Sequence, residues 1–143
     1  MSSFTASARP VDGLRHEVDV NGRHVIHTDE PARLGGTDTA PTPHELLAAM
    51  LASCASTMVA MYARRHDWPL DGLRVDVVYD ADETPRRVTM NLQLPGGLQA
   101  DQVERLRRVA DTCPARRALE AGFFFDEQVL VGSAQAHAAS EPG

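Results

Sequence analysis

The chain has 143 residues, 43% of them hydrophobic and 24% charged, which is one domain's worth of ordinary globular composition. Fourteen basic residues stand against twenty acidic ones, for a net charge of −6. That balance argues against a whole-surface electrostatic grip on nucleic acid or anionic lipid, so neither a nucleic acid nor a membrane is an expected partner. All fourteen basic residues are arginine, which excludes a lysine Schiff base, a phosphate-loop lysine and a lysine general base. Two cysteines cannot build a multi-bridge secreted scaffold, and Met1 to Arg9 holds no apolar leader, so a cytoplasmic location is expected.

A short strand is expected near Phe4 to Ala8, with a turn over Pro10 to Gly13. Leu14, His16, Val18 and Val20 then alternate with Arg15, Glu17 and Asp19 as a strand. Asn21-Gly22 reads as a two-residue hairpin turn, with Arg23 to Thr28 returning. That register opposes Val18 to Val25, Glu17 to Ile26 and His16 to His27. Asp29 to Pro41 is a loop, broken by Gly35-Gly36 and its prolines. A long helix follows. Thr42 fits the N-cap, Pro43 the first helical position and Glu45 the third, a capping box. The helix should run to about His66.

Asp71 to Asp80 and Arg87 to Leu94 alternate as strands, and Pro95-Gly96-Gly97 stops the second. Val103, Leu106 and Ala110 mark one face of a helix, and Pro114 to Gly122 bounds another. Phe125, Val129 and Val131 suggest a last strand. The order is βββ-α-ββ-αα-β, an α+β domain with largely antiparallel pairing. The domain should span residues 1–132, with 133–143 a small, polar, disordered tail.

Leu46 to Ala63 is eighteen residues without a charge. Leu47, Met50, Leu51, Cys54, Met58, Met61 and Tyr62 form a large apolar stripe at helical spacing, and alanines fill the other side. The run touches the length of a membrane span, but its alanines, serines and amphipathic neighbours favour a buried core helix. A helix apolar all round must be covered all round. One chain of this size has little to cover it with, so a homodimer with two such helices at its centre is expected.

Cys54 falls in mid-helix, where burial alone would raise its thiol pKa and make it inert. Cys113 precedes Pro114 at a helix start, with Arg116 and Arg117 in the first turn, a setting that favours a thiolate. Local chemistry therefore ranks Cys113 above Cys54. His16, His24, His27 and His44 read as exposed residues rather than metal ligands, and no metal or other cofactor is expected. Gly35-Gly36 lacks the lysine and helix of a phosphate loop. Arg105, Arg107 and Arg108 beside Asp101, Glu104 and Asp111 read as a solvated helix face.

The stretch Asp29 to Tyr62, the segment Arg64 to Val77 with Trp68-Pro69-Leu70, and Ala110 to Pro114 together resemble the OsmC/Ohr family of thiol-dependent hydroperoxide reductases. The joint pattern is P-x-P-x-E-L-L over Pro41 to Leu47, a helical cysteine nine residues after Glu45, and a distant Cys-Pro. The resemblance implies an OsmC-like swapped homodimer with antiparallel sheets wrapped around long central helices. It implies a peroxidatic Cys54, a resolving Cys113, and an intramolecular disulfide recycled by a lipoyl or thioredoxin-like dithiol. The substrate would be a small organic hydroperoxide and the role defence against oxidative stress. Met50, Leu51, Met58 and Phe124, with Phe123 and Phe125 beside it, are the candidates to hold the alkyl group. In the family an arginine paired with a glutamate supports the thiolate. The organic-hydroperoxide branch has its glutamate where this chain has His44, so Glu45 is either that partner or only the helix cap. Arg15 is the nearest match for the arginine, with Arg9 as its rival. A catalytically weak OsmC-like stress or binding protein and a hot-dog-type thioesterase are the alternative readings.

Overall fold

The computed structural model describes residues 2–132 and 139–141. Its elements follow the expected α+β order: β1 (Ala6–Asp12), β2 (Arg15–Val20), β3 (His24–Thr28), α1 (Pro43–Arg65), β4 (Arg74–Asp80), β5 (Arg87–Gln93), α2 (Ala100–Asp111), α3 (Pro114–Ala121) and β6 (Glu127–Val129). A tenth element lies within the segment read as the tail: Ala139–Glu141, here β7, pairs antiparallel with β6. The rest of the expected tail lies outside the described residues.

The described residues form three antiparallel sheets, β1-β2-β3, β4-β5 and β6-β7. The first strand differs from expectation, running through Pro10 to Asp12 with an irregularity between them. Proline is tolerated there because β1 is an edge strand, where one side of the backbone needs no ladder bond. The β2–β3 hairpin is offset by one residue: Val20 pairs with His24, Val18 with Ile26 and Glu17 with His27. Asn21 (φ 56°) and Gly22 (φ 67°) are left-handed as the turn requires. Asn21 is also drawn into the β1 ladder, its N–H donating to the Thr5 carbonyl at 2.9 Å and its Oδ1 accepting from the Thr5 N–H at 2.8 Å. Arg23 therefore joins the loop. A one-residue slip exchanges faces, so His16 and His27 lie on opposite sides of the sheet, and Arg9, Glu17 and His27 form a row across it.

α1 begins as its sequence dictates. The Thr42 hydroxyl accepts from the Glu45 N–H and the Glu45 carboxylate accepts from the Thr42 N–H, with Pro43 in the first turn. The core lies where α1 meets α2 and the β4-β5 sheet. Ala55, Val59 and Ala63 of α1, Leu106 and Ala110 of α2, and Cys113 are its buried members. The buried line on α1 is thus Leu51, Ala55, Val59 and Ala63, which shares only Leu51 with the large stripe expected. Alanine at two of these positions lets α2 approach closely, and Cys54, Met58 and Tyr62 pack at its margin. The opposite face is open: Met50 is 43% and Met61 49% exposed, with Ser53 and Thr57 exposed between them. Among the described residues, the β1-β2-β3 sheet makes its extensive contacts within its own strands.

Candidate active site

Cys54 and Cys113 are 59 residues apart in sequence and adjacent in space. Cys54 projects from mid-α1, half-buried, while Cys113 is wholly buried at the N-cap of α3. The α1–α2 packing brings the end of α2 over Cys54, and Thr112 then ends α2 so that Cys113 turns inward. Burial raises the Cys113 thiol above its ordinary value. The Arg116 and Ala115 amides at the start of α3 oppose that shift, and the Cys54 sulfur, within hydrogen-bonding reach, adds to it. Both thiols are free. Local sequence ranked Cys113 above Cys54, whereas in the fold Cys113 is the sulfur whose pKa burial raises and Cys54 is the less buried of the two.

A cavity of about 480 Å³ opens between α1, β5, α2 and α3, reaching Leu51 and Ala110. Leu51 lies one helical turn before Cys54, and Ala110 lies one turn before Cys113. Val88, Met90, Leu92 and Leu119 give this cavity an apolar lining, and Arg86, Arg107 and Arg116 stand at its polar side. Of the four alkyl-binding candidates, Leu51 lines this space and Met58 packs at the core margin. Met50 is on the open face of α1. Phe124 is fully exposed, so within this chain it covers neither thiol; it belongs to an extended stretch beyond α3, where Phe123 and Phe125 are exposed as well.

The nominated arginines lie on the first sheet, Arg9 in β1 and Arg15 at the start of β2. Arg9 pairs with Glu17 across the first sheet. Arg15 donates through Nη1 to the Thr39 hydroxyl at 2.7 Å and the Thr39 carbonyl at 3.2 Å. Glu45 serves as the helix cap, and a hydrogen bond from the Thr42 N–H lowers its pKa below the ordinary value. Its side chain also borders a second cavity, of about 490 Å³, with His44 and Arg33. Arg33 is thus the arginine that shares a space with Glu45. Sequence reasoning missed it, although it is the one basic residue in the Asp29 to Pro41 loop.

That loop is clasped by Asp29, only 1% exposed. Its Oδ1 accepts from the Glu30 N–H, and its Oδ2 accepts from the N–H and hydroxyl groups of Thr37 and Thr39, at 2.6 to 3.3 Å. These bonds, Thr37's first, hold the Asp29 carboxyl well below the usual carboxylate range against the cost of burial.

Comparison with known proteins agrees with this architecture. Residues 36–127 match the family described as OsmC-like protein. A Psychrobacter arcticus protein named for osmotic stress induction and detoxification response is 28% identical, with 82% of this chain and 88% of that one covered and a TM-score of 0.65. An organic hydroperoxide resistance protein OsmC from Legionella pneumophila is 23% identical, covering 83% and 90% of the two chains with a TM-score of 0.58. An OsmC-like hydroperoxide resistance protein from Jannaschia sp. is 24% identical, covering 95% and 97%, with a TM-score of 0.54. No curated protein matches the sequence. The fold, the thiol pair and the family match together make this chain a member of the OsmC-like protein family.

Proposed function

We propose that this protein is a thiol-dependent peroxidase that reduces organic hydroperoxides. The observation that carries the reading is the contact between a half-buried Cys54 and a wholly buried Cys113. Relatives named for hydroperoxide resistance support it. The Cys54 thiolate attacks the distal oxygen of ROOH, the O–O bond breaks, and the alkoxide leaves as ROH after taking a proton. Cys54 becomes a sulfenic acid. The Cys113 sulfur then displaces its hydroxyl as water, forming a Cys54–Cys113 disulfide. A small or protein dithiol returns both sulfurs to thiols and is itself oxidised to a disulfide. The apolar cavity beside Leu51 takes the alkyl group, and each methylene buried there favours binding by about 0.8 kcal/mol.

The site is completed by a second copy. Glu45 and Cys54 are nine residues apart on one straight helix, about 14 Å along its axis, so one chain cannot bring them together. Two α1 helices crossing antiparallel near Met50 set Glu45 and Arg33 of one copy toward Cys54 of the other. The open face of α1 and the weakly supported β1-β2-β3 sheet fit such a homodimer.

The test is turnover of cumene hydroperoxide with excess dihydrolipoamide, compared with hydrogen peroxide. Faster organic turnover is expected. Cys54→Ser should abolish it, and Cys113→Ser should consume one equivalent and stop. Full activity in Cys54→Ser overturns the assignment.

A further inference from the structure

The Asp29 to Pro41 loop is built as a closed clasp, and Arg33 stands at its tip. Asp29 ties the base by gathering the polar groups of Thr37 and Thr39 onto one buried oxygen. The backbone closes it again: Asp38 N–H donates to the Glu30 carbonyl at 3.0 Å, and Gly36 N–H to the Pro31 carbonyl at 3.1 Å. A Cβ on Gly36 would lie 1.9 Å from the Glu30 oxygen, so the two limbs touch backbone to backbone. Between these ties, Ala32–Leu34 forms a single tight turn that carries Arg33 to the cavity shared with Glu45. The Thr39 hydroxyl spends its hydrogen on Asp29 at 2.8 Å and therefore presents a lone pair to Arg15 at 2.7 Å. The clasp is anchored to β2 through that bond.

We propose that Asp29, acting through Thr37 and Thr39, is a positioning residue that fixes Arg33 for its work on the Cys54 thiolate. The inference rests on the peroxidase reading for the role of Arg33, and adds what holds that arginine in place. A long arginine on a loose loop would spend most of its time elsewhere. A clasp closed by a buried carboxylate removes that freedom before substrate arrives.

The readout is the rate of Cys54 alkylation by iodoacetamide at pH 7, in the Cys113→Ser background, which follows the thiolate without needing peroxide turnover. Thr39→Val keeps the side-chain shape and removes the hydroxyl. It should slow alkylation by up to about a hundredfold, the cost of an ångström-scale misplacement, and Thr39→Ser should restore it. The deciding comparison is Thr39→Val in an Arg33→Gln protein, where it should slow alkylation no further. Slowing of equal size in both backgrounds, or none in either, overturns the proposal. Asp29→Asn should behave as Thr39→Val; if it fails to fold, the Thr39 series still decides. Peroxide reduction by the unsubstituted protein is measured in parallel. Its absence, with the Thr39–Arg33 coupling present, would remove the peroxidase reading and leave the positioning role standing.

Discussion

The Asp29 carboxylate accepts five hydrogen bonds while almost wholly removed from solvent. Its folded pKa lies below the ordinary value, so the unfolded chain takes up a proton first as pH falls. Its contribution to stability is therefore complete above about pH 4 and is lost progressively below it. Urea unfolding at pH 7 and pH 3 checks this: the stability lost between them should be smaller in Asp29→Asn than in the unsubstituted chain. Single residues also mark where the sequence was silent. Nothing in the spacing of Arg33 ties it to Glu45. The tie runs through Asp29 and two threonines eight and ten residues on, a polar pattern that hydrophobic periodicity does not register. The Asp, the Gly pair and the two threonines inside a proline-rich loop were the available signal.

At the scale of elements, α1 was legible from its cap. Thr42, Pro43 and Glu45 form the capping box that their spacing announces, and Thr42→Ala should cost about 1 kcal/mol of stability in urea unfolding. Its buried face was not legible, because a helix apolar all round does not declare which side meets a neighbour. The neighbour decides: α2 presents Leu106 and Ala110, and the line Leu51, Ala55, Val59, Ala63 receives them. Leu106 is almost fully buried there, so Leu106→Ala should cost about 2–5 kcal/mol by the same measurement. It should also loosen the contact between the two thiols, since the end of α2 delivers Cys113. The hairpin offset has a similar origin. Asn21 and Gly22 do form the turn, but the bonds between Asn21 and Thr5, beyond the hairpin itself, move the pairing by one residue.

The whole molecule is uneven. One half, α1 with α2, α3, β4 and β5, closes around a core, while β1, β2 and β3 stand beside it with Val11, Val25 and Ile26 exposed. A three-stranded sheet needs an apolar face covered to be stable, and a second copy supplies that cover in the proposed dimer. Light scattering should give twice the chain mass at micromolar concentration. Thr57→Arg, on the open face of α1, should shift the population to monomer and abolish peroxide turnover together. A monomer in the unsubstituted protein would remove the shared site. The order of elements was readable in the sequence because each strand and helix carries its own periodicity. The meeting of Cys54 with Cys113 followed only from the family resemblance and not from periodicity, because it depends on how three helices pack.

The unequal exposure of the two sulfurs gives a direction to whatever bond they form. A disulfide is opened by in-line attack on one of its sulfurs, and the other departs. Cys113 has no surface open to an incoming thiolate, whereas Cys54 does. In the proposed cycle a reductant would therefore capture Cys54 as a mixed disulfide and expel Cys113 into the interior, where the amides at the start of α3 would receive its charge until it is reprotonated. Closing the bond also ties the chain into a loop of about 60 residues, which by chain entropy stabilises the folded state by about 4 kcal/mol. The oxidised protein would then be the sturdier form. Each reduction would trade some of that resistance to unfolding for a thiol ready to react.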